Sequence, residues 1–273
     1  MTSLTRSQQA DLVATAHRLA DAARPETLRH FRSAGLGVDV KGETYFGDFD
    51  PVTAADRSAE QAMRAVLSEL RPDDGILGEE FGTKPGTTGL TWVLDPIDGT
   101  RGFVAGTPTW GVLISVADET GPLFGIIDQP YIGERFEGGF GVAHMTGRDG
   151  TRPLAVRPTR QVAEATVLTT FPEVGRPEEG RAFQAVSRQA RLTRYGLDCY
   201  AYALLALGQV DLVIEAGLAA YDIQAPIAVI EAAGGLVTDW EGNPVHAGGR
   251  AIAAATPELH AEAMAILQRD LAD

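Results

Sequence analysis

The sequence predicts a mixed fold, α+β in a first half and α/β in a second, with the division placed between residues 1–155 and 156–273. Three observations carry that reading. Strand-like runs joined by Gly, Pro and Asp turns follow one another from residue 91 to residue 158, the pattern of a meander. Beyond about residue 160, strands and helices alternate. A chain of 273 residues that is 44% hydrophobic can bury a substantial core.

Leu12, Val13, Ala16, Leu19, Ala20 and Ala23 recur at helical spacing, so residues 5–32 predict a helix that Pro25 breaks or kinks before Leu28 and Phe31. "PVTAADRSAEQAMRAVLSELRP" predicts a second helix, with Thr53 as N-cap and Ala59, Met63, Val66, Leu67 and Leu70 on its apolar face. "TWVLD" reads as a buried strand. "TWGVLISVAD", "GPLFGIIDQP", "ERFEGGFGVAHMTG" and "RPLAVRP" continue the sheet. In the second half "ATVLTTF", "LTRYG", "DLVIEAG", "GLVTDW" and "AIAAATP" read as strands. "PEEGRAFQAVSRQ", "DCYAYALLALGQV", "YDIQAPIAVIEAAGG" and the segment from Pro257 read as helices.

The formal net charge of −14 argues against a nucleic-acid or anionic-membrane surface. A single cysteine, Cys199, precludes an intrachain disulfide and suits a reducing compartment. The first residues lack a signal-peptide core, and no stretch approaches the roughly 18 apolar residues of a membrane span. The expectation is a soluble, cytoplasmic protein.

Acidic residues gather at element edges: Asp50 and Asp56 around the start of the second helix, Glu79 and Glu80 in "ILGEEFG", Asp95 and Asp98 after "WVL", and Asp222 at a helix start. Capping alone would explain Asp56 and Asp222, and Glu80, the second of two adjacent acids, reads as solvated. Asp95 and Asp98 are harder to explain that way. Two carboxylates ~4 Å apart repel by roughly 4 kcal/mol at an effective dielectric near 20, and a divalent ion turns that repulsion into attraction. With oxygen donors only, and no i, i+4 pairing among His17, His30, His144, His246 and His260, a hard ion such as Mg²⁺ fits better than zinc. Gly99 permits close backbone approach. The amides of Gly99 and Thr100 at a helix start would bind phosphate oxygens.

"GEE", "WVLDPIDGT" and "YDIQAPIAVIEAAGG" together resemble the inositol monophosphatase family of Mg²⁺-dependent, lithium-sensitive phosphatases, over essentially the whole chain. The resemblance implies a layered α-β-α-β-α sandwich, two or three Mg²⁺ ions and a homodimer. It places most metal ligands in the first half, and the substrate-binding residues with Asp222 in the second. By position it implies Glu79, Asp95, Asp98 and the Ile97 carbonyl as metal ligands, with Asp222 completing a second metal position. Glu79 and Thr100 would orient the attacking water, and Asp56 would hydrogen-bond Thr100. The Gly99 and Thr100 amides would grip the phosphate of a small monoester, and Glu215 would touch its alcohol part.

"DPIDGTRGFVAGTPTWGVLI", "RYGLDCYAYALLALGQVDLVIEAG" and the Tyr-Asp before the late helix look most like the histidinol-phosphate phosphatase branch. Asp198 and Glu215 would suit a cationic leaving group. Asp198 reads equally as a helix N-cap, and Arg101 and Arg194 read either as phosphate or substrate contacts or as surface ion pairs. The chain departs from that branch at Leu197, Ala219 and Ala220 and in "TTFPEVG", all around the leaving-group pocket. Inositol-1-phosphate or another polyol or sugar phosphate is the alternative substrate.

Overall fold

Reciprocal side-chain capping sets where the first two helices begin. Thr5 accepts from the Gln8 N–H at 3.3 Å while the Gln8 side chain accepts from the Thr5 N–H at 2.8 Å, which opens α1 (Arg6–His30). Thr53 and Asp56 do the same for α2 (Ala54–Leu70). The computed structural model describes residues 4–33, 38–40 and 51–272. The break expected at Pro25 does not occur. Helix α1 runs through it, because Ala23 and Thr27 are buried on either side and the carbonyl left without a donor belongs to exposed Asp21.

Strands β1 (Val38–Val40) and β2 (Pro51–Thr53) form a small antiparallel pair. A larger sheet is built from β3 (Gly75–Gly78), β4 (Gly82–Lys84), β5 (Thr91–Asp98), β6 (Gly111–Asp118), β7 (Gly121–Gln129), β8 (Glu134–Gly139), β9 (Val142–Gly147) and β10 (Gly150–Pro153). Its order is β10-β9-β8-β7-β6-β5-β3-β4, antiparallel except where β3 meets β5. Helix α3 (Thr100–Ala105) links β5 to β6. "RPLAVRP" is strand only at its start: beyond Pro153 the chain leaves the sheet, and the Val156 N–H donates instead to the Ala233 carbonyl at 3.1 Å.

The second sheet has the order β12-β11-β13-β15-β14, from β11 (Thr166–Thr169), β12 (Leu192–Tyr195), β13 (Leu212–Ala219), β14 (Leu236–Thr238) and β15 (Gly248–Ala254). With it come α4 (Pro177–Ser187), α5 (Cys199–Ala206), α6 (Ala220–Ala232) and α7 (Pro257–Ala272).

Strand alternation sorts the side chains into layers. Val112, Ile114 and Val116 of β6 pack on α1 and α2, whereas Leu113 packs with α5 and α6. Val213 of β13 faces those same two helices, and its neighbours Leu212 and Ile214 pack with α4 and α7. The result is the α-β-α-β-α sandwich. Among the described residues no helix is long and apolar enough to cross a membrane.

Candidate metal and phosphate site

Parallel pairing of β3 with β5 sets Gly78 opposite Leu94, so the next residues, Glu79 just past β3 and Asp95 still within β5, lie side by side. The Glu79 N–H donates to the Leu94 carbonyl at 3.2 Å, and the two carboxyls are hydrogen-bonded to each other. Residues i and i+3 of a regular strand face opposite ways. Against β6, however, Asp95 pairs with Leu113 and Asp98 with Gly111, a bulge that inserts one residue into β5. The bulge falls at Pro96, which has no N–H to offer the ladder, and it turns Asp95 and Asp98 to the same side. Oδ1 of Asp95 accepts from the Ile97 N–H at 3.0 Å.

Asp222 arrives from the other half, in the first turn of α6, where its Oδ2 accepts from the Ala219 N–H at 2.7 Å. Asp95, Asp98 and Asp222 each offer a carboxylate oxygen, and these atoms lie within 4.8 Å of one another. Burial, then Glu79, Asp98 and Asp222, hold the Asp95 carboxyl well above the usual carboxylate range. Burial and Asp222 push Asp98 up to about 7, against the hydrogen bond from Cys199. Burial, more than the opposing Ala219 N–H, likewise takes Asp222 to about 7. An all-oxygen set, half to fully buried and mutually repelling, fits a hard divalent cation.

Gly99 is the N-cap of α3 with φ +86°, and the first-turn amides of that helix have no intrahelical acceptor. A Cβ there would stand 2.7 Å from Cγ of Asp198, so only glycine admits that carboxylate. The Thr100 hydroxyl donates to the Ile97 carbonyl at 3.0 Å. That bond replaces the expected one from Asp56, whose Oδ2 accepts the Thr53 N–H at 2.8 Å and hydroxyl at 2.6 Å. Asp56 thus fixes the start of α2.

Asp198 precedes α5 at φ +48°, ψ −140°, and its side chain caps nothing, which corrects the N-cap reading. Burial and Asp98 raise it to about 7, opposed by Arg101. Arg101 also lies over the ring of Phe171, 5.1 Å from its centroid. Glu215 is buried. Its Oε1 accepts from the Thr170 N–H at 2.6 Å and hydroxyl at 2.9 Å, and its Oε2 from Thr169 at 3.2 Å. Burial, against those Thr170 bonds, pushes it up to about 8. Arg194 does not join this group: it stands exposed on edge strand β12 and makes no ion pair among the described residues. Asp50 lies outside the described residues.

Sequence reading missed Glu60. Fully buried on α2, it accepts from Arg64 at 2.7 Å and from the N–H groups of Glu80 and Phe81 at 2.7 and 3.2 Å, bracing the Glu79 turn. Its Oε1 would lie 2.0 Å from a Cβ at Gly78. The signal was available: Asp56, Glu60, Met63 and Leu67 form one helical stripe. Glu80, expected in solvent, is half-buried by the same contact.

The family model described as "Inositol monophosphatase family" matches residues 8–272. The "Bifunctional phosphatase IMPL2, chloroplastic" of Arabidopsis thaliana is 38% identical, over 93% of this chain and 74% of its own length. A histidinol-phosphatase of Streptomyces coelicolor is 36% identical, over 93% and 96%. An inositol-1-monophosphatase of Rhizobium meliloti is 32% identical, over 78% and 80%. Among solved structures, an inositol monophosphatase from Zymomonas mobilis superposes with a TM-score of 0.84 at 38% identity, over 96% of this chain and 100% of that one.

Proposed function

Since the chain belongs to the inositol monophosphatase family, whose enzymes are metal-dependent phosphatases, we propose that it hydrolyses L-histidinol phosphate to L-histidinol with Mg²⁺, a step of histidine biosynthesis. The observation that carries the chemistry is the Asp95–Asp98–Asp222 cluster lying beside the Gly99–Thr100 turn. Glu79 and the Ile97 carbonyl would complete the donor set. When bound, Mg²⁺ lowers the pKa of the attacking water and stabilises the leaving oxygen.

The chain's own residues do the rest. The first-turn amides of α3 hold the phosphate. Glu79, hydrogen-bonded to Asp95, and Thr100, hydrogen-bonded to Ile97, orient the water, and the Glu79 carboxylate takes its proton. Asp198 and Glu215 meet the ammonium and imidazole of the alcohol. A charged hydrogen bond of that kind contributes about 1.5–3 kcal/mol. The histidinol-phosphatase relative from Streptomyces coelicolor supports this choice.

Arg101 favours a second reading. Its guanidinium already opposes the charge of Asp198, which leaves less for a cation and suits a neutral polyol such as inositol-1-phosphate. The test is phosphate release with Mg²⁺ from L-histidinol phosphate, inositol-1-phosphate, fructose-1,6-bisphosphate and adenosine 3′,5′-bisphosphate. A tenfold or greater preference for histidinol phosphate is expected. Preference for inositol-1-phosphate would select the second reading. Lithium sensitivity and a homodimer belong to the same proposal and rest on the family resemblance; a cytoplasmic location belongs to it too and rests on the single cysteine.

A further inference from the structure

Both peptide units that flank Glu79 are held from outside its turn. The unit before it donates the Glu79 N–H to the Leu94 carbonyl at 3.2 Å. The unit after it ends in the Glu80 N–H, which donates to Oε2 of Glu60 at 2.7 Å. Peptide units are planar, so fixing these two planes fixes φ and ψ at Glu79, and with them the direction of its side chain. Glu79 lies in the short turn between β3 and β4, where backbone is otherwise free to move.

Glu60 holds more than that one amide. Its Oε1 accepts from the Phe81 N–H at 3.2 Å and from Nε of Arg64, one helical turn on, at 2.7 Å. Nη2 of Arg64 donates in turn to the Gly82 carbonyl at 2.5 Å, and the guanidinium lies 5.9 Å from the centroid of the Phe81 ring. Two amides and a carbonyl of the turn therefore meet one carboxylate and one guanidinium. Glu60 is fully buried, where such bonds are strong and costly to break. Its own position is set by Asp56, four residues earlier on the same helical face, which caps the start of α2.

We propose that Glu60, backed by Arg64, is a positioning residue that aims the Glu79 carboxylate at the metal. The role needs a charge as well as a shape. All three partners of Glu60 are donors, and a carboxylate only accepts. A glutamine would set its own N–H against one of them. The proposal rests on the reading of Glu79 as a metal ligand.

Asp74 supplies the control, being the same kind of group at the far end of the same strand. It is buried just before β3 and accepts from Arg71 at 2.7 Å, Thr88 at 2.7 Å and Trp92 at 2.9 Å. Asp74→Asn thus loosens β3 away from the acids. Calorimetry of the full chain with Mg²⁺ alone reads the affinity directly. Glu60→Gln should weaken Mg²⁺ binding about tenfold, and Asp74→Asn should bind within about twofold of wild type while losing melting temperature. Arg64→Met leaves both turn amides their acceptor, so it should weaken binding about threefold, and it carries the test should Glu60→Gln not fold. Wild-type affinity in Glu60→Gln or, failing that protein, in Arg64→Met overturns the proposal. So does an equal loss in Asp74→Asn, which would make the effect one of general loosening. Glu79→Ala tells the two readings apart. If it binds Mg²⁺ as wild type does, the reading of Glu79 fails; if it loses affinity while the Glu60 variant keeps it, only the role of Glu60 fails.

Discussion

The backbone N–H of Cys199 donates to Oδ2 of Asp98 at 2.6 Å, tying the first residue of α5 to the bulged end of β5. One acid of the cluster is thereby set by the half of the chain that also supplies Asp222. The thiol also hydrogen-bonds the Asp98 carboxyl, and the two bonds together oppose the rise in that carboxyl's pKa. The thiol accepts from Gln129 at 3.4 Å, and burial followed by Asp98 raises its pKa well above the usual thiol range.

Cys199→Ala should keep the backbone bond to Asp98, lose only the weaker thiol bond, and turn over within about twofold of wild type. It should lose about 1 kcal/mol of stability, from the small cavity and the lost sulfur contact. Calorimetry and phosphate release measure both. A hundredfold loss of turnover would make the thiol bond to Asp98 part of the working site.

Asp95→Asn keeps the shape of the carboxyl and removes its charge from beside Glu79, Asp98 and Asp222. Phosphate release should fall by more than a hundredfold, or about 2.7 kcal/mol in transition-state terms, while the ion-free melting temperature holds or rises. Near-wild-type turnover would falsify the assignment of Asp95 to the metal.

Asp98, Asp222 and Asp198 near 7 and Glu215 near 8 have folded-state values raised above those of the unfolded chain. Between about pH 4 and these values the folded state binds more protons than the unfolded state, so stability falls as pH rises. In EDTA the melting temperature should drop by on the order of 5 °C from pH 5.5 to pH 8.5. Saturating Mg²⁺ should flatten that slope. A profile that rises with pH in EDTA would mean the acids are not pressed together as described.

Gly99→Ala would bring a Cβ to 2.7 Å from the Asp198 carboxyl carbon, at a φ of +86° that side chains resist. A loss of about 2 kcal/mol and at least tenfold in kcat is expected. Asp198→Ala in the same protein should recover part of the stability, and additive losses would show that the two residues do not meet.

Composition and patterning sufficed for the mixed layered fold because each sheet buries its faces by strict alternation, as Val112–Leu113–Ile114 shows. The acids at the ends of β3 and β5 were legible too: an Asp closing the apolar strand "WVL" has little other reason to be there. What escaped was contact across the sheets. Nothing in "VLTTF" announces that Thr169 and Thr170 clasp Glu215, because that clasp depends on β11 lying beside β13. The path of α1 through Pro25 was likewise decided by burial against α2, which overrode local propensity.

Asp198 combines two costs that a single substitution can separate. Its backbone, at φ +48° and ψ −140°, lies where only glycine is at ease, and such strain amounts to about 1–3 kcal/mol. Its carboxylate caps no amide and is held up to about 7 by burial and Asp98. Asp198→Gly removes both, offset by about 0.5–1 kcal/mol of extra freedom in the unfolded chain, so the variant should be more stable by about 1 kcal/mol. If the carboxylate serves a cationic leaving group, kcat/KM should fall at least tenfold on histidinol phosphate and less than threefold on inositol-1-phosphate. Equal losses on both would make Asp198 a support for Gly99 and the phosphate turn, with no part in substrate choice. A less stable variant would show that the backbone at 198 is held by contacts worth more than its strain.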